Sequence, residues 1–104
     1  MKEITVQELK HKIDSKDDFQ LIDVREEYEV EAAHINGIHI PMATVPDNLD
    51  KIAKDKMVVI HCRSGARSAN ICNYLMQNGY TEVYNLKGGI KAYAADIDNT
   101  LRPV

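Results

Sequence analysis

The residues best suited to chemistry in this chain lie in the segment VVIHCRSGARS, residues 58–68. A run of β-branched residues ends at Cys62, and a short loop that contains Arg63, Gly65 and Arg67 leads into the next predicted helix. A cysteine reacts as its thiolate, which positive charge and hydrogen-bond donors stabilise. The segment therefore predicts a nucleophilic thiol whose anion, or an anion attached to it, is stabilised by the loop.

Three features are expected to lower the pKa of Cys62. The first is the positive end of the helix that follows the loop. The second is the set of main-chain N–H groups of residues 63–68, which can point inward if the loop curls into a nest. The third is the charge of Arg63 and Arg67. Gly65 makes such a curl sterically easy.

Strands and helices alternate along the chain, which predicts one α/β domain over residues 1–104 with a central, mainly parallel sheet flanked by helices. Strands are predicted near Ile4 and at 19–24, 37–41, 56–61 and 82–86, and helices at Val6–Asp14, 25–35, from Pro46 onward, 68–78 and 90–97. In such folds ligands bind beyond the carboxyl ends of the strands, which is where Cys62 lies.

Two elements have the clearest local signals. Thr5 and Glu8 form a capping-box pattern before the first helix. The segment 56–61 is continuous and β-branched, as expected for a strand buried on both faces. In the second helix Tyr28, Ala32 and Ile35 can share one face, and in the helix after the loop Cys72, Leu75 and Met76 are predicted to point inward.

Composition and charge exclude several classes of function. The formal net charge is −3, which argues against nucleic-acid binding, and the cationic loop on an acidic protein suggests a small anionic ligand. The polar opening MKEITVQELKHK and the absence of any stretch of ~18 apolar residues predict a cytoplasmic protein that neither carries a signal peptide nor spans a membrane. Cys62 and Cys72 lie in no C-x-x-C or zinc-type spacing, and a structural disulfide is not expected in a reducing cytosol. No His, Asp or Glu cluster has metal-ligand spacing, so no metal is expected. No cofactor is expected either.

The segment CRSGARS, residues 62–68, which follows a hydrophobic strand, resembles the active-site loop of the rhodanese (thiosulfate sulfurtransferase) family. LIDVREEYEVEAAHINGIHIP, residues 21–41, and NLKGGIKAY, residues 85–93, resemble two further segments of that family in the same order. The resemblance implies a single-domain sulfurtransferase with a small α/β fold. Its chemistry would move sulfane sulfur from a donor such as thiosulfate, through a cysteine persulfide, to cyanide or a thiol.

The resemblance also implies roles for individual residues. Cys62 would be the nucleophile and sulfur carrier, Arg63 would meet the anionic donor, and Arg67 would brace the loop. The outer sulfur would be held by the main-chain N–H groups of Arg63, Ser64, Gly65, Ala66 and Arg67. Asp23, Arg25 and Ser68 would support the loop. The implied partners are a small sulfur donor, a thiol or cyanide acceptor and, as a further candidate, a sulfur-accepting protein, with no nucleic acid or membrane and a monomeric chain.

Three other functions remain open from the residues alone. A cysteine–arginine loop also suits a phosphatase or arsenate reductase, but those phosphatases place five residues between the two, whereas four separate Cys62 from Arg67. A non-catalytic protein-binding module would not need the intact thiol and arginines. A peroxide-sensing thiol would need a resolving partner, and Cys72 is poorly placed for that role.

Several other residues have an ordinary structural interpretation. Cys72 is expected in the core, and His34 and His61 are expected to be structural or packed rather than acid–base groups. Gly88 and Gly89 could allow a close backbone approach near the site or form a plain turn, and the sequence does not separate these alternatives.

Overall fold

The computed structural model describes all of residues 1–104 and contains one five-stranded sheet. Its strands are β1 (Lys2–Ile4), β2 (Gln20–Asp23), β3 (Ile38–His39), β4 (Val58–His61) and β5 (Val83–Leu86). They lie in the order β1-β5-β4-β2-β3, and every neighbouring pair is parallel. The predicted α/β architecture is therefore confirmed, with β4, which leads into Cys62, at the centre.

Helices cover both faces of this sheet. They are α1 (Val6–Asp14), α2 (Glu27–Ala32), a 3₁₀ segment (Met42–Lys51), α3 (Ala66–Gln77) and α4 (Gly89–Asp96). Helices α1 and α4 contact each other beside the buried cluster that contains Val59 and Leu86. Helix α3 and the 3₁₀ segment contact each other beside the cluster that contains Val58 and Ile60. Strand β4 is thus buried on both faces, as its continuous apolar run predicts. None of the helices has the length and apolarity needed to cross a membrane.

Helix α1 has the predicted bounds and the predicted cap. The Glu8 N–H donates to Thr5 Oγ1 at 3.1 Å, and the Thr5 N–H donates to Glu8 Oε1 at 3.0 Å. Val6 and Leu9 are buried beneath this turn. The capping box, which satisfies two otherwise unpaired N–H groups, sets the start of the helix.

Helix α3 begins at Ala66, two residues before the predicted start at Ser68. Gly65 adopts φ +110° at the N-cap, so the chain turns at the glycine and enters the helix at once. Cys72 and Leu75 are fully buried as predicted, but Met76 is 38% exposed, which corrects its assignment to the core. The earlier start matters because it places Arg67 and Ser68 in the first helical turn.

The second predicted helix is shorter than expected and ends before Ile35, and Tyr28 and Ala32 are both exposed, so the three residues do not form one buried face. Polar bonds hold α2 here instead of an apolar stripe, because the Arg25 guanidinium donates to the carbonyl oxygens of Glu29 and Ala33. The helix predicted from Pro46 is part of a 3₁₀ segment that begins at Met42. That segment starts earlier because the N–H and hydroxyl of Thr44 both donate to the Pro41 carbonyl at 2.8 Å.

Candidate active site

Cys62 lies at the carboxyl end of β4, where the strand turns into α3, and its residue is only 1% exposed. Its sulfur accepts hydrogen bonds from the main-chain N–H groups of Gly65, at 3.1 Å, and Ser68, at 3.4 Å. The Ser68 hydroxyl oxygen lies 3.2 Å from the same sulfur. The thiol is therefore buried among hydrogen-bonding groups of the loop and of the first turn of the helix.

The N-terminus of α3 supplies the polar environment of Cys62. The first N–H groups of a helix have no acceptor within the helix and carry its positive end. In α3 the N–H groups of Ala66 and Arg67 donate to no acceptor elsewhere in the chain. These two N–H groups, next to those already bonded to the sulfur, are available to an atom attached to Cys62.

Helix α4 holds the loop from outside. The Ile90 N–H donates to the Cys62 carbonyl and the Lys91 N–H to the Arg63 carbonyl, both at 3.0 Å. The N-terminal turn of α4 thus binds both carbonyl oxygens. A Cβ on Gly89, which has φ +62°, would overlap the Arg63 carbonyl oxygen and lie 2.6 Å from the Cys62 oxygen. Of the two sequence interpretations, the close backbone approach is the one observed at Gly89.

The Arg67 side chain forms an ion pair with Glu29 of α2. Its two terminal nitrogens donate to Glu29 Oε1 at 2.7 Å and Oε2 at 2.8 Å. Glu29 is 3% exposed. The bonds from Arg67 lower the pKa of Glu29 despite burial, and the carboxylate in turn raises the pKa of Arg67. The pair joins the start of α3 to α2.

Asp23 and Arg25 form a buried ion pair behind this contact. Arg25 is 0% exposed, and its Nε and one terminal nitrogen donate to the two Asp23 carboxylate oxygens at 2.9 and 2.7 Å. Arg25 also donates to the carbonyl of Ala33 at 2.8 Å, at the end of α2. These residues therefore reach the Cys62 loop indirectly, by holding the helix that carries Glu29.

The electrostatics of Cys62 are dominated by hydrogen bonds. Burial opposes ionisation, but hydrogen bonds, among them those from the main-chain N–H groups of Ser68, Gly65 and Ser64, outweigh it and hold the pKa of Cys62 below its ordinary value. The largest favourable contributions are these bonds rather than the arginine charges invoked from sequence. A lowered pKa increases the fraction of reactive thiolate at neutral pH.

A family model described as "Rhodanese-like domain" matches residues 5–96 of this chain. The chain belongs to the rhodanese-like domain family. A sulfurtransferase of Allochromatium vinosum is 43% identical over 93 residues, covering 88% of this chain and 87% of the relative. The thiosulfate sulfurtransferase GlpE of Coxiella burnetii is 35% identical over 81 residues, covering 77% of this chain and 76% of the relative.

The fold comparison agrees with the family match. A crystal structure of a rhodanese-like domain protein from Staphylococcus aureus superimposes with a TM-score of 0.86 at 38% identity, covering 100% of this chain and 99% of the other. The family and its relatives support sulfurtransferase activity in general for this rhodanese-like domain.

The other predicted groups of this rhodanese-like domain lie in distinct places. Arg63 is partly exposed at the edge of the loop, where its Nε donates to the main-chain oxygen of Val104 at 2.8 Å. His61 is fully buried, with its Nε2 3.6 Å from Asp23 Oδ2 and no hydrogen-bond partner. Burial lowers the pKa of His61 and keeps it neutral. His34 is exposed, and its Nδ1 accepts from the Asn36 N–H.

The second cysteine of the rhodanese-like domain is inert by comparison. Cys72 is 0% exposed in the middle of α3, and burial raises its pKa to about 12. It therefore remains a neutral thiol in the core. Neither cysteine forms a disulfide.

Two residues of the site were missed by sequence reasoning. Glu29 lies within the predicted second helix, 25–35, and nothing local indicates a partner 38 positions away. Asn85 is 4% exposed, and it lies between the Ser68 hydroxyl, 2.5 Å from its Oδ1, and the Gly65 carbonyl, 3.1 Å from its Nδ2. A usable signal existed for Asn85, because an amide in the otherwise apolar and aromatic strand VYNL requires buried partners.

Proposed function

We propose that this rhodanese-like domain carries sulfane sulfur as a persulfide on Cys62, taking it from thiosulfate or a related donor. The observation that carries the proposal is the position of the sulfur, which is 1% exposed and meets N–H donors at 3.1 and 3.4 Å at the start of α3. Further N–H groups of the same turn are unpaired. An anionic outer sulfur on Cys62 would find hydrogen-bond donors in this turn.

The proposed reaction has two steps that balance. In the first, the Cys62 thiolate attacks the outer sulfur of thiosulfate, a sulfur–sulfur bond forms, and sulfite leaves with the electron pair of the broken bond. In the second, cyanide or a thiolate attacks the outer sulfur of the persulfide, and the Cys62 thiolate leaves. The products of the cyanide reaction are thiocyanate and the free enzyme. No external oxidant or reductant is needed.

The surroundings of the loop support a small donor and acceptor. None of the surface cavities, which have volumes of about 350 to 390 Å³, includes a residue of the loop from Cys62 to Arg67. The N–H donors at the start of α3 suit a single anionic atom attached to Cys62. Arg63 at the edge of the loop supplies positive charge for an anionic donor. Similarity to a thiosulfate sulfurtransferase supports the same donor class.

A phosphatase or arsenate reductase fits the geometry less well. Four residues separate Cys62 from Arg67, which makes a narrow loop. In addition, both terminal nitrogens of Arg67 are bonded to Glu29, so its guanidinium is committed to α2 rather than aimed over the sulfur. A phosphoryl group above Cys62 would need that charge. We expect no useful hydrolysis of aryl phosphates.

Intact-mass analysis tests the proposal directly. After incubation with thiosulfate, the protein should gain one sulfur atom, and cyanide should remove it with formation of thiocyanate. The Cys62→Ser variant should gain nothing, whereas Cys72→Ala should behave like the native protein. A sulfur gained by the Cys62→Ser variant, or no gain by the native protein, would contradict the persulfide mechanism.

We further propose that residues 1–104 act as a single, monomeric domain in the cytoplasm, without a cofactor, metal, nucleic acid or membrane partner. Both cysteines are free, and a nucleophilic thiol has to remain reduced to work. The acceptor can be a small thiol, cyanide or a sulfur-accepting protein that presents an exposed thiolate. Size-exclusion chromatography with light scattering measures the oligomeric state.

A further inference from the structure

Asn85 is a buried amide whose orientation is determined by its two neighbours. It pairs with Ile60 in the parallel ladder and lies on the same side of the sheet as Cys62 and α3. One end of its amide is 3.1 Å from the Gly65 carbonyl oxygen. A carbonyl only accepts, so the amide nitrogen must face Gly65, and the amide oxygen Oδ1 must face Ser68.

The orientation of Asn85 determines where the proton of the Ser68 hydroxyl lies. Ser68 Oγ and Asn85 Oδ1 are 2.5 Å apart, a distance that two oxygens adopt only with a proton between them. The amide oxygen has no proton, so the hydroxyl donates to it. Ser68 has only one hydroxyl proton and is 0% exposed. At its 3.2 Å contact with Cys62, Ser68 therefore presents a lone pair, which the proton of a neutral thiol satisfies.

We propose that Asn85 is a positioning residue for Cys62. By holding the only proton of Ser68, it makes Ser68 an acceptor for the neutral thiol instead of a donor to the thiolate. This inference rests on the proposed function for the role of Cys62 as the reacting group, although its test requires no sulfur transfer. Ionisation of the thiol then either leaves the thiolate facing the Ser68 lone pair or turns the Ser68 proton from Asn85 to the sulfur, which leaves a buried amide oxygen unpaired.

The persulfide does not impose this cost. Once Cys62 carries an outer sulfur, the negative charge lies on that sulfur, and Cys62 Sγ is neutral and divalent. The Ser68 proton can then remain on Asn85 while main-chain N–H groups of the loop bind the charge. Asn85 therefore disfavours the bare thiolate relative to both the neutral thiol and the persulfide. In the proposed reaction cycle, the neutral thiol and the persulfide are the two forms in which the protein waits for its next substrate, and both are favoured over the bare thiolate.

Other titratable groups surround Cys62 and stay unchanged in the test. They are Arg63 and Arg67 of the loop, Cys72 of α3, His61 of β4, Glu29 of α2, which is paired with Arg67, and Asp23 of β2, which faces His61. Their contribution to the pH dependence is common to all variants. Differences between variants therefore report on Asn85 and Ser68.

The experiment measures the rate of alkylation of Cys62 by iodoacetamide as a function of pH, with peptide mapping to assign the modified cysteine. Four full-length proteins are compared: native, Asn85→Leu, Ser68→Ala and the double variant. Asn85→Leu frees the Ser68 proton to bind the thiolate. The midpoint of the alkylation rate against pH should therefore fall by about one pH unit in this variant, the effect of one hydrogen bond. In the Ser68→Ala background, the same substitution should leave the midpoint unchanged.

Ser68→Ala alone provides a second test that needs only a small substitution. Because the hydroxyl is committed to Asn85, its removal should not raise the midpoint. A rise would show that Ser68 already donates to the thiolate and would overturn the proposal. An equal fall on Asn85→Leu with and without Ser68 would overturn it too, since Asn85 would then act through Gly65 alone. A midpoint that does not fall on Asn85→Leu when Ser68 is present would also overturn the proposal.

Thermal unfolding checks that each variant is folded, and if Asn85→Leu is not, the Ser68→Ala result decides. The outcome is separable from that of the proposed function. The expected alkylation profiles without any gain of sulfur from thiosulfate would support the role of Asn85 and contradict sulfur transfer. The reverse combination would do the opposite.

Discussion

Glu29 and Arg67 are joined by two hydrogen bonds, of 2.7 and 2.8 Å, although they are 38 residues apart in the chain. The carboxylate is buried and the guanidinium is about one third exposed. The pair ties the first turn of α3, and so the N–H groups that surround Cys62, to a helix on the other side of the loop. Its removal should therefore affect both stability and chemistry.

Glu29→Gln keeps the size of the side chain and removes its charge. We expect lower sulfur transfer with every donor, because the loop loses its brace, and a decrease of about 1–3 kcal/mol in the free energy of unfolding. Urea unfolding and thiocyanate production measure the two effects. Glu27→Gln is the matched control, since Glu27 is exposed on the same helix. Equal behaviour of the two variants would show that the ion pair has no special role.

The same pair predicts a pH dependence of stability. The bonds from Arg67 hold the pKa of Glu29 below its ordinary 4.5 in the folded protein. Its contribution to stability is therefore fully present above that value and is lost as the pH falls through the lower, folded pKa. The difference in unfolding free energy between native protein and Glu29→Gln should shrink as the pH falls from about 7 to about 3. A difference that grows on acidification would contradict this sign.

Gly89→Ala should lower sulfur transfer by more than the backbone strain of an alanine at this φ would explain. The new Cβ would overlap the Arg63 carbonyl and displace the loop, in addition to the cost of a positive φ, about 1–2 kcal/mol. Gly79→Ala is the control, because Gly79 has φ +87° but only the end of the Lys54 side chain, 3.5 Å away, near a new Cβ. Activity should fall sharply in the first variant and survive in the second. Equal losses would point to strain alone.

The two cysteines should respond differently to substitution. Cys62→Ser should abolish sulfur transfer and leave the fold intact, because only a thiolate can attack and carry the sulfur. Cys72→Ala should keep most activity and lose on the order of 1 kcal/mol of stability, as a small truncation in the core. Thiocyanate assays and urea unfolding check both. Loss of turnover in a folded Cys72→Ala protein would assign that thiol a role in the reaction.

Arg63→Ala should weaken the capture of anionic donors more than the chemistry itself. The KM for thiosulfate should rise, because the charge of Arg63 attracts anions. The KM for a neutral persulfide donor should change little. Lys87→Ala, which removes an exposed cation just after β5, is the control. Equal losses for both donors would instead mean that Arg63 maintains the structure of the loop.

Local patterns predicted the parts of the fold that are locally determined. The capping box of α1 and the buried strand β4 are set by neighbouring residues, and both agree with the sequence analysis. The position of Cys62 at the start of a helix also follows from a strand, a glycine and a helical pattern in succession. Because β-branched runs and glycine turns act over a few residues, these elements can be predicted from one sequence alone.

Contacts between distant segments could not be predicted in the same way. The partners of Arg67 and Ser68 are Glu29 and Asn85, which are brought close by the order of the strands and not by local spacing. Helical periodicity allows Tyr28 to share a face with Ala32 and Ile35, yet α2 is held through Arg25 and leaves Tyr28 exposed. Where polar bonds hold a helix in place of an apolar stripe, the sequence has no hydrophobic period from which the buried face can be predicted.

The bonds from Ile90 and Lys91 to the loop carbonyls have a consequence for synthesis of the protein. A nascent chain that has emerged only as far as Gly88 already contains Cys62, the loop and α3. It lacks the first turn of α4, whose N–H groups bind the loop carbonyls. The thiol is therefore not set in its final environment until one of the last helices is in place. The amide protons of Ile90 and Lys91 would report that moment, since their protection from exchange begins when the loop is first held.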